Sequence, residues 1–333
     1  MTNFDVDKIS GSLFGGALGD AIGRDPEFMR LAQIHERFGK SGYMRLPTPA
    51  LVTDDTQMTV AVGEALAEAR SLRPRELART LTGAYIAFTS EPRRAPGATC
   101  MTAIAGLQRG LRWQDATVVQ SKGCGVNMRV APAAFLPTED IATGVAQLQA
   151  AITHGHPTGL AAAELTALAI RWSAEGVSLA ELPRRLLAHA HSQRGHYRHA
   201  WLGKFDLRRW SLPADEAMRY GWDQCIDSLR NLRRALKSTQ TLVDPCSQLG
   251  GGWIAEEALI VALYCAIRFE GNPVLAISAA ARTSGDSDSL AAITGNIVGA
   301  RHGMAEWPTD WVRRIEYGVR LAQVAEVLAT KKW

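Results

Sequence analysis

Two short acidic segments, far apart in the chain, have the residue types of a divalent-metal site. They are Thr53-Asp54-Asp55 and Asp286-Ser287-Asp288-Ser289. Their four carboxylates and the hydroxyls of Thr53 and Ser289 form an all-oxygen ligand set, which Mg²⁺ and Mn²⁺ prefer. Two such cations roughly 3.5–4 Å apart share carboxylates and activate a water molecule in known two-metal hydrolases. The two segments together therefore predict a divalent-metal hydrolase site.

Helix capping is the alternative explanation for each acidic segment. Thr53 or Asp54 precedes an apolar helical pattern, with Gln57 placed as in a capping box, and Asp286 precedes a pattern rich in alanine. Capping accounts for one acid of Thr53-Asp54-Asp55 but not obviously for two adjacent ones, whereas for Asp286-Ser287-Asp288-Ser289 alone capping and metal binding are equal alternatives. A helix N-terminus also repels cations through its dipole, so several carboxylates are needed there to bind a metal. Taken together, the two segments favour metal binding.

Helical periodicity runs through almost the whole chain, and alternating strand patterns are rare. We predict one all-α domain over residues 1–333. The predicted helices are residues 6–22, 55–69, 74–88, 98–110, 139–152, 157–174, 179–190, 214–236, 253–268, 273–281, 287–300 and 307–328. Residues 23–52, 89–97 and 192–212 are predicted to be loops, and long loops in a compact domain are often functional.

Glycines recur at every fourth position in the first predicted helix and near the C-terminus. Positions i and i+4 share one face of a helix, and each glycine costs a helix up to about 1 kcal/mol relative to alanine. Close approach of two helix backbones would explain such rows, and ordinary small-residue packing in the core is a compatible alternative. We therefore expect the two rows to bring the acidic segments together. The rows are Gly11, Gly15, Gly19 and Gly23, and Gly295, Gly299 and Gly303.

Composition argues against several classes of protein. The chain has 333 residues, of which 47% are hydrophobic and 21% charged, and this is typical of a folded globular protein. Its formal net charge of +4 is dispersed, so a nucleic-acid partner is not expected. The five cysteines include no Cys-x-x-Cys pair, as expected in a reducing compartment. The apolar residues 13–22 contain Asp20 and several glycines, so we expect a cytoplasmic protein without a membrane span.

Six motifs along the chain, in this order, resemble one known family. They resemble the ADP-ribosylglycohydrolase family, which includes the dinitrogenase reductase-activating glycohydrolases and the ADP-ribosyl-acceptor hydrolases. The resemblance spans nearly the whole chain and implies a single-domain orthogonal α-helical bundle with two Mg²⁺ or Mn²⁺ ions. The motifs are Gly19-Asp20-Ala21-Ile22-Gly23 with Glu27, Thr53-Asp54-Asp55-Thr56-Gln57, residues 121–132, Thr153-His154-Gly155-His156-Pro157, residues 250–258 and Gly285-Asp286-Ser287-Asp288-Ser289.

The resemblance also implies roles for individual residues. The metal ligands would be Thr53, Asp54, Asp55, Asp286, Asp288 and Ser289. Either Asp55 or Glu27 would be the catalytic base. Glycines let backbone N–H groups approach an anion, and the ADP-ribose would be held by Gly123, Cys124, Gly125, Val126, Asn127, Met128 and His154. The family often has Asp-Thr-Asp-Thr at 286–289, where this chain keeps the hydroxyl as Ser289, and a small residue where this chain has Asn127.

The implied function is removal of ADP-ribose from an ADP-ribosylated protein. Arginine is the expected acceptor residue, by resemblance to the bacterial branch of the family. The alternative is an immunity protein that neutralises an ADP-ribosyltransferase toxin by binding it, with or without hydrolysis. Residues 23–52 and 192–212 would then provide the contacts.

Overall fold

The computed structural model describes residues 4–204 and 210–333, and these form an all-α structure. The only β-type pairings among the described residues are two isolated bridges, Val118 with His154 and Gly123 with Ile254. The predicted all-α class is therefore confirmed. The helices are α1 (Val6–Gly23), α2 (Leu31–Phe38), α3 (Asp54–Glu68), α4 (Pro74–Phe88), α5 (Ala98–Gln108), α6 (Trp113–Ala116), α7 (Ala131–Ala134), α8 (Glu139–Ala151), α9 (Pro157–Ala174), α10 (Leu182–Gln193), α11 (His199–Leu202), α12 (Ala214–Leu236), α13 (Cys246–Leu249), α14 (Ala255–Arg268), α15 (Pro273–Ala281), α16 (Ser287–His302), α17 (Thr309–Arg314) and α18 (Gly318–Thr330).

Four predicted helices, α4, α9, α12 and α15, begin and end where the sequence places them. Three of them, α4, α9 and α15, have proline at the first helical position, where its missing N–H has no partner to lose. The predicted loop 23–52 is partly wrong, because α2 lies within it and buries Ile34. In the predicted loop 192–212, residues 205–209 lie outside the described part of the chain, and α11 occupies part of the rest.

The predicted helix 307–328 is also wrong, because the chain breaks there into α17 and α18. Ile315 is extended, and Tyr317 is left-handed with φ of 64°. The Tyr317 hydroxyl donates to Glu91 at 2.6 Å and accepts from the Gln57 amide at 3.0 Å. These tertiary contacts override a helical pattern that continues through the break.

The two glycine rows pack α1 antiparallel against α16 at backbone distance. A Cβ added at Gly15 would lie 2.4 Å from the carbonyl oxygen of Gly295, and one added at Gly19 would lie 2.1 Å from that of Ala291. At the other end of α1, a Cβ at Gly23 would lie 2.5 Å from Cα of Asp288. The expected close approach is confirmed. Because the helices are antiparallel, the C-terminal end of α1 lies against the start of α16, which carries the second acidic segment.

Helices α3, α9, α14 and α15 surround this central pair, and α9 is buried along nearly its whole length. The start of α3 meets the same end of the pair, so both acidic segments lie at one end of the helix bundle. No helix among the described residues is both long enough and apolar enough to cross a membrane.

Candidate active site

Asp20 fixes the start of α3 and with it the first acidic segment. It is fully buried in the apolar interior of α1. Its carboxylate accepts from the backbone N–H of Thr53 at 2.9 Å, the N–H of Thr56 at 3.1 Å and the Thr56 hydroxyl at 2.5 Å. Thr53 is the N-cap of α3, and its hydroxyl accepts from the N–H of Asp55. Capping therefore occupies the Thr53 side chain, and the carboxylates of Asp54 and Asp55 are left for other partners.

In the second acidic segment Asp286 does not cap its helix with its side chain, whereas Asp288 Oδ1 accepts from the backbone N–H of Ser289 at 2.9 Å. Asp286 is at the N-cap position of α16, yet its carboxylate makes no capping hydrogen bond. Instead, its Oδ2 lies 2.7 Å from the thiol of Cys124. The backbone N–H of Asp286 donates to the carbonyl of Gly251 at 2.9 Å, which anchors the segment. The side chain of Asp286 therefore does not cap α16.

Three acids from two parts of the chain form one cluster. Single carboxylate oxygens of Glu27, Asp286 and Asp288 all lie within 4.8 Å of one another. Asp54 and Asp55 line the same cavity, whose volume is about 370 Å³. Asp54 Oδ2 also accepts from the N–H of Gly97, in the predicted loop 89–97.

The crowding of acids raises the pKa of each carboxyl group. Burial, followed by the charge of Asp288, raises the pKa of Glu27 to about 8, of Asp54 to about 8 and of Asp20 to about 7. The same two causes hold the pKa of Asp55 and of Asp286 well above the ordinary range. Like charges in a site of low dielectric cannot all ionise without a counter-charge. The cluster is therefore an electrostatically unfavourable arrangement that a bound cation would relieve.

The residues present fit a hard divalent cation. Asp55 Oδ2 is buried and has no hydrogen-bond partner among the described residues, although buried polar atoms are normally paired. The oxygen donors on this cavity are carboxylates and the Ser289 hydroxyl, which are hard ligands, and the softer thiol of Cys124 lies beside Asp286. Thr53 is not among the residues that line the cavity. Of the six ligands predicted from the sequence, the other five lie on this cavity.

The glycine-containing segment 123–128 forms another wall of the cavity. Gly123, Cys124, Gly125 and Met128 line it. Val126 and Asn127 do not: both are fully buried, and the Asn127 amide donates to Thr166 and to the carbonyl of Ala255. The two interior residues of the segment therefore anchor it to the core, while their neighbours face the cavity.

His154 presents a neutral imidazole to this wall. Burial and the nearby charge of Arg129 hold the pKa of His154 well below its ordinary value. Arg129 donates to the Thr153 hydroxyl at 2.6 Å, and that hydroxyl lies 2.7 Å from His154 Nδ1. The Thr153 hydroxyl can donate either to Nδ1 or to the carbonyl of Ala150 at 3.5 Å, and donation to Nδ1 places the ring proton on Nε2. His154 lines the cavity and can donate a hydrogen bond to a ligand there.

An aromatic pair borders the cavity. The rings of Phe28 and Trp253 stack with centroids 5.5 Å apart and planes 15° from parallel. Phe28 is 74% exposed and has φ of 64°, a strained conformation for a bulky residue. Phe28 directly follows Glu27, so the stack fixes the position of the segment that carries this acid.

Sequence reasoning missed three features of the site. Asp20 appears in a family motif, but its role in holding α3 was not identified; an acid inside an otherwise apolar helix was the available signal. The contact between Cys124 and Asp286 joins residues 162 positions apart and has no local signal. Trp253 was assigned to a helix, whereas α14 begins two residues later and leaves this ring at the cavity.

Comparison with known proteins agrees with the fold. The sequence model of the ADP-ribosylglycohydrolase family matches residues 1–333. ADP-ribosylhydrolase ARH3 of Mus musculus is 27% identical over 93% of this chain and 88% of its own length. ADP-ribosylarginine hydrolase Tri1 of Serratia proteamaculans is 24% identical over 97% of this chain and 79% of its own. A solved structure, named ADP-ribosylglycohydrolase-related protein complex, superimposes with a TM-score of 0.67 at 21% identity and covers 97% of both chains, which shows a shared fold.

Proposed function

The chain belongs to the ADP-ribosylglycohydrolase family, and on this premise we propose that it is a divalent-metal-dependent hydrolase that removes ADP-ribose from modified protein side chains. One observation carries the proposal. The cluster of Glu27, Asp286 and Asp288 shares a cavity of about 370 Å³ with the glycine-containing wall 123–128. The proposed metal ligands would then share one cavity with backbone and imidazole groups suited to a phosphorylated sugar.

Two Mg²⁺ or Mn²⁺ ions would be held by Asp54, Asp55, Asp286, Asp288 and Ser289. Thr53 would hold Asp54 and Asp55 in position by capping the start of α3. The chemistry supplied by such ions is polarisation of water and of the ribose hydroxyls. The unpaired Oδ2 of Asp55 and the mutual repulsion of the acids support this assignment.

The residues of the chain would then act on the bond between ribose C1″ and the side-chain nitrogen. His154 donates from Nε2 to the ADP-ribose, and the wall 123–128 positions it. A carboxylate, Glu27 or Asp55, accepts a proton from the attacking water, whose oxygen bonds to C1″ as the C1″–N bond breaks. The proton passes to the leaving nitrogen, so the products are ADP-ribose and the unmodified side chain. Glu27 is the more accessible of the two bases, since it is only partly buried.

Arginine is the proposed acceptor residue. The support is the similarity to a protein named as an ADP-ribosylarginine hydrolase, at 24% identity. The acid-rich cavity is also chemically suited to a cationic guanidinium leaving group.

Release of ADP-ribose from an arginine-modified protein, followed by chromatography, tests the proposal. Wild type with Mg²⁺ or Mn²⁺ should release ADP-ribose, while addition of EDTA, or the double change Asp54→Ala/Asp55→Ala, should abolish release. Asp227→Asn, on the exposed face of α12, is the matched control and should retain activity. No release by wild type from either an arginine-modified or a serine-modified protein, or full release after removal of metal, would reject the hydrolase proposal. A serine-modified protein assayed in parallel tests the acceptor separately.

Neutralisation of a toxin by direct binding stays a prediction from the sequence. It differs from hydrolysis in one measurable respect. An Asp286→Asn variant that loses hydrolysis but still protects cells from an ADP-ribosyltransferase would favour binding.

A further inference from the structure

A second cavity, of about 330 Å³, shares no lining residue with the active site. Its walls come from residues 40–43, residues 241–245 and helices α14 and α15. Most of the surface is apolar, provided by Leu242, Tyr264, Phe269, Leu275 and Ala279. Small-molecule sites in proteins typically have volumes of about 300–1,000 Å³ and mostly apolar walls with a few polar groups. The cavity matches that description.

Arg282 supplies the polar group. It is only 5% exposed, lines the cavity and donates through Nη2 to the carbonyl of Gly42. Its Nη1 is buried and has no hydrogen-bond acceptor among the described residues. Burial lowers the pKa of Arg282, as expected for a cation without a counter-charge. A buried cation without a counter-charge is energetically costly. Because the described part of the chain provides no anionic partner for this guanidinium, a bound anion would lower that cost.

Among the described residues, no acidic side chain lines this cavity to neutralise Arg282. Asp244 lies in the same chain segment but does not line the cavity, and its carboxylate accepts from the hydroxyl of Ser284 and the N–H of Cys246. By contrast, Arg198 is largely buried and pairs with Glu164. Lys40 at the cavity adds a second positive charge. The cavity is therefore apolar and cationic at once.

We propose that this cavity binds a small organic anion, an aryl or short alkyl carboxylate. Its carboxylate pairs with the guanidinium of Arg282, and its apolar body packs against Tyr264, Phe269 and Leu275. The segment 40–43, which Arg282 contacts through the carbonyl of Gly42, forms one side of the site. Nothing in the proposed hydrolysis uses these residues, so this is a separate site.

Binding of phenylacetate to the full chain, measured by calorimetry and by saturation-transfer NMR, tests the proposal. Phenylacetamide has the same shape without the charge. A hydrogen bond to a charged group contributes about 1.5–3 kcal/mol, so we expect phenylacetamide to bind at least about tenfold more weakly. Arg282→Met should weaken phenylacetate binding to a similar extent.

Two further variants separate binding from folding. Ala279→Leu keeps Arg282 but places three more carbons in the cavity, and should weaken phenylacetate binding even if Arg282→Met fails to fold. Arg314→Met is the matched control, because Arg314 likewise donates to a backbone carbonyl in the segment before α3, that of Pro47, but lies outside this cavity. It should bind phenylacetate like wild type. The proposal is overturned if wild type shows no saturable binding in the millimolar range, if Ala279→Leu binds as wild type does, or if phenylacetamide binds as tightly as phenylacetate.

Discussion

Replacing Gly295 with alanine should destabilise the protein, because α1 and α16 pack at backbone distance. A Cβ at this position would lie 2.0 Å from the carbonyl oxygen of Gly15 and 2.4 Å from its carbonyl carbon. Ordinary van der Waals contact begins near 3.4 Å, so the helices must separate locally by about 1.4 Å, the difference between 3.4 and 2.0 Å. Both contacts are with backbone, so no side chain can rotate away.

The magnitude follows from two opposing effects. Overpacking of a core costs about 1–3 kcal/mol, and rigid backbone on both sides places this contact at the upper end. Alanine returns about 1 kcal/mol of helix propensity relative to glycine. We therefore expect Gly295→Ala to lower the free energy of unfolding by about 2 kcal/mol, the remainder of these two values.

Urea unfolding in EDTA, followed by far-UV circular dichroism, measures this change. Gly83→Ala is the matched control, because Gly83 lies within α4 and a Cβ there would meet nothing within 4 Å. That variant should gain about 0.5–1 kcal/mol from propensity alone. The two glycine-to-alanine changes should therefore shift the urea midpoint in opposite directions. A Gly295→Ala midpoint equal to or above that of wild type would refute the packing argument.

Three further outcomes are expected at the active site. Gly23→Ala places its Cβ 2.5 Å from Cα of Asp288, so Mn²⁺ affinity measured by calorimetry should fall at least about tenfold; unchanged affinity would contradict this. Burial and Asp288 raise the pKa of Asp54 to about 8 from 3.8, so the folded state binds the extra proton and metal-free stability falls as pH rises between these values. In EDTA, the urea midpoint of Asp54→Asn should therefore fall less over that pH range than the midpoint of wild type does. An equal fall in the two proteins would count against the raised pKa of Asp54. Trp253→Ala should raise KM by up to about tenfold with kcat nearly unchanged, while Trp253→Phe retains the stacking; a loss confined to kcat would exclude a binding role.

The sequence predicted those parts of the site that depend on local patterns. Glycine at every fourth position defines one helix face, and this was enough to predict that α1 approaches another helix closely. Proline at the first position located the starts of helices such as α9. The paired acids in each segment predicted more carboxylates than capping uses, and the side chain of Asp286 indeed makes no cap.

Other parts depend on contacts between distant residues and had no local signal. The grouping of Glu27 with Asp286 and Asp288 requires the segment after α1 to fold back over α16. Tyr317, at the break between α17 and α18, makes its hydrogen bonds with Glu91 and Gln57, which are far away in sequence. Asn127 matched the nucleotide-binding motif by position, yet its side chain faces the core, because a motif specifies residues and not their orientation.

The helix pair α1 and α16 combines close backbone packing, which stabilises the fold, with a cluster of buried acids, which destabilises it. Its glycines allow continuous backbone contact, while its ends hold Asp20, Asp286 and Asp288, whose pKa values are all raised by burial. In the metal-free protein these acids oppose folding more strongly as the pH rises. A cation at the acidic end would remove that opposition without changing the glycine contacts. Stabilisation of wild type by Mg²⁺ should therefore be larger at alkaline than at acidic pH. Thermal unfolding with and without Mg²⁺ at both pH values measures this difference. An increase in melting temperature that is the same at both pH values would show that the reasoning is wrong.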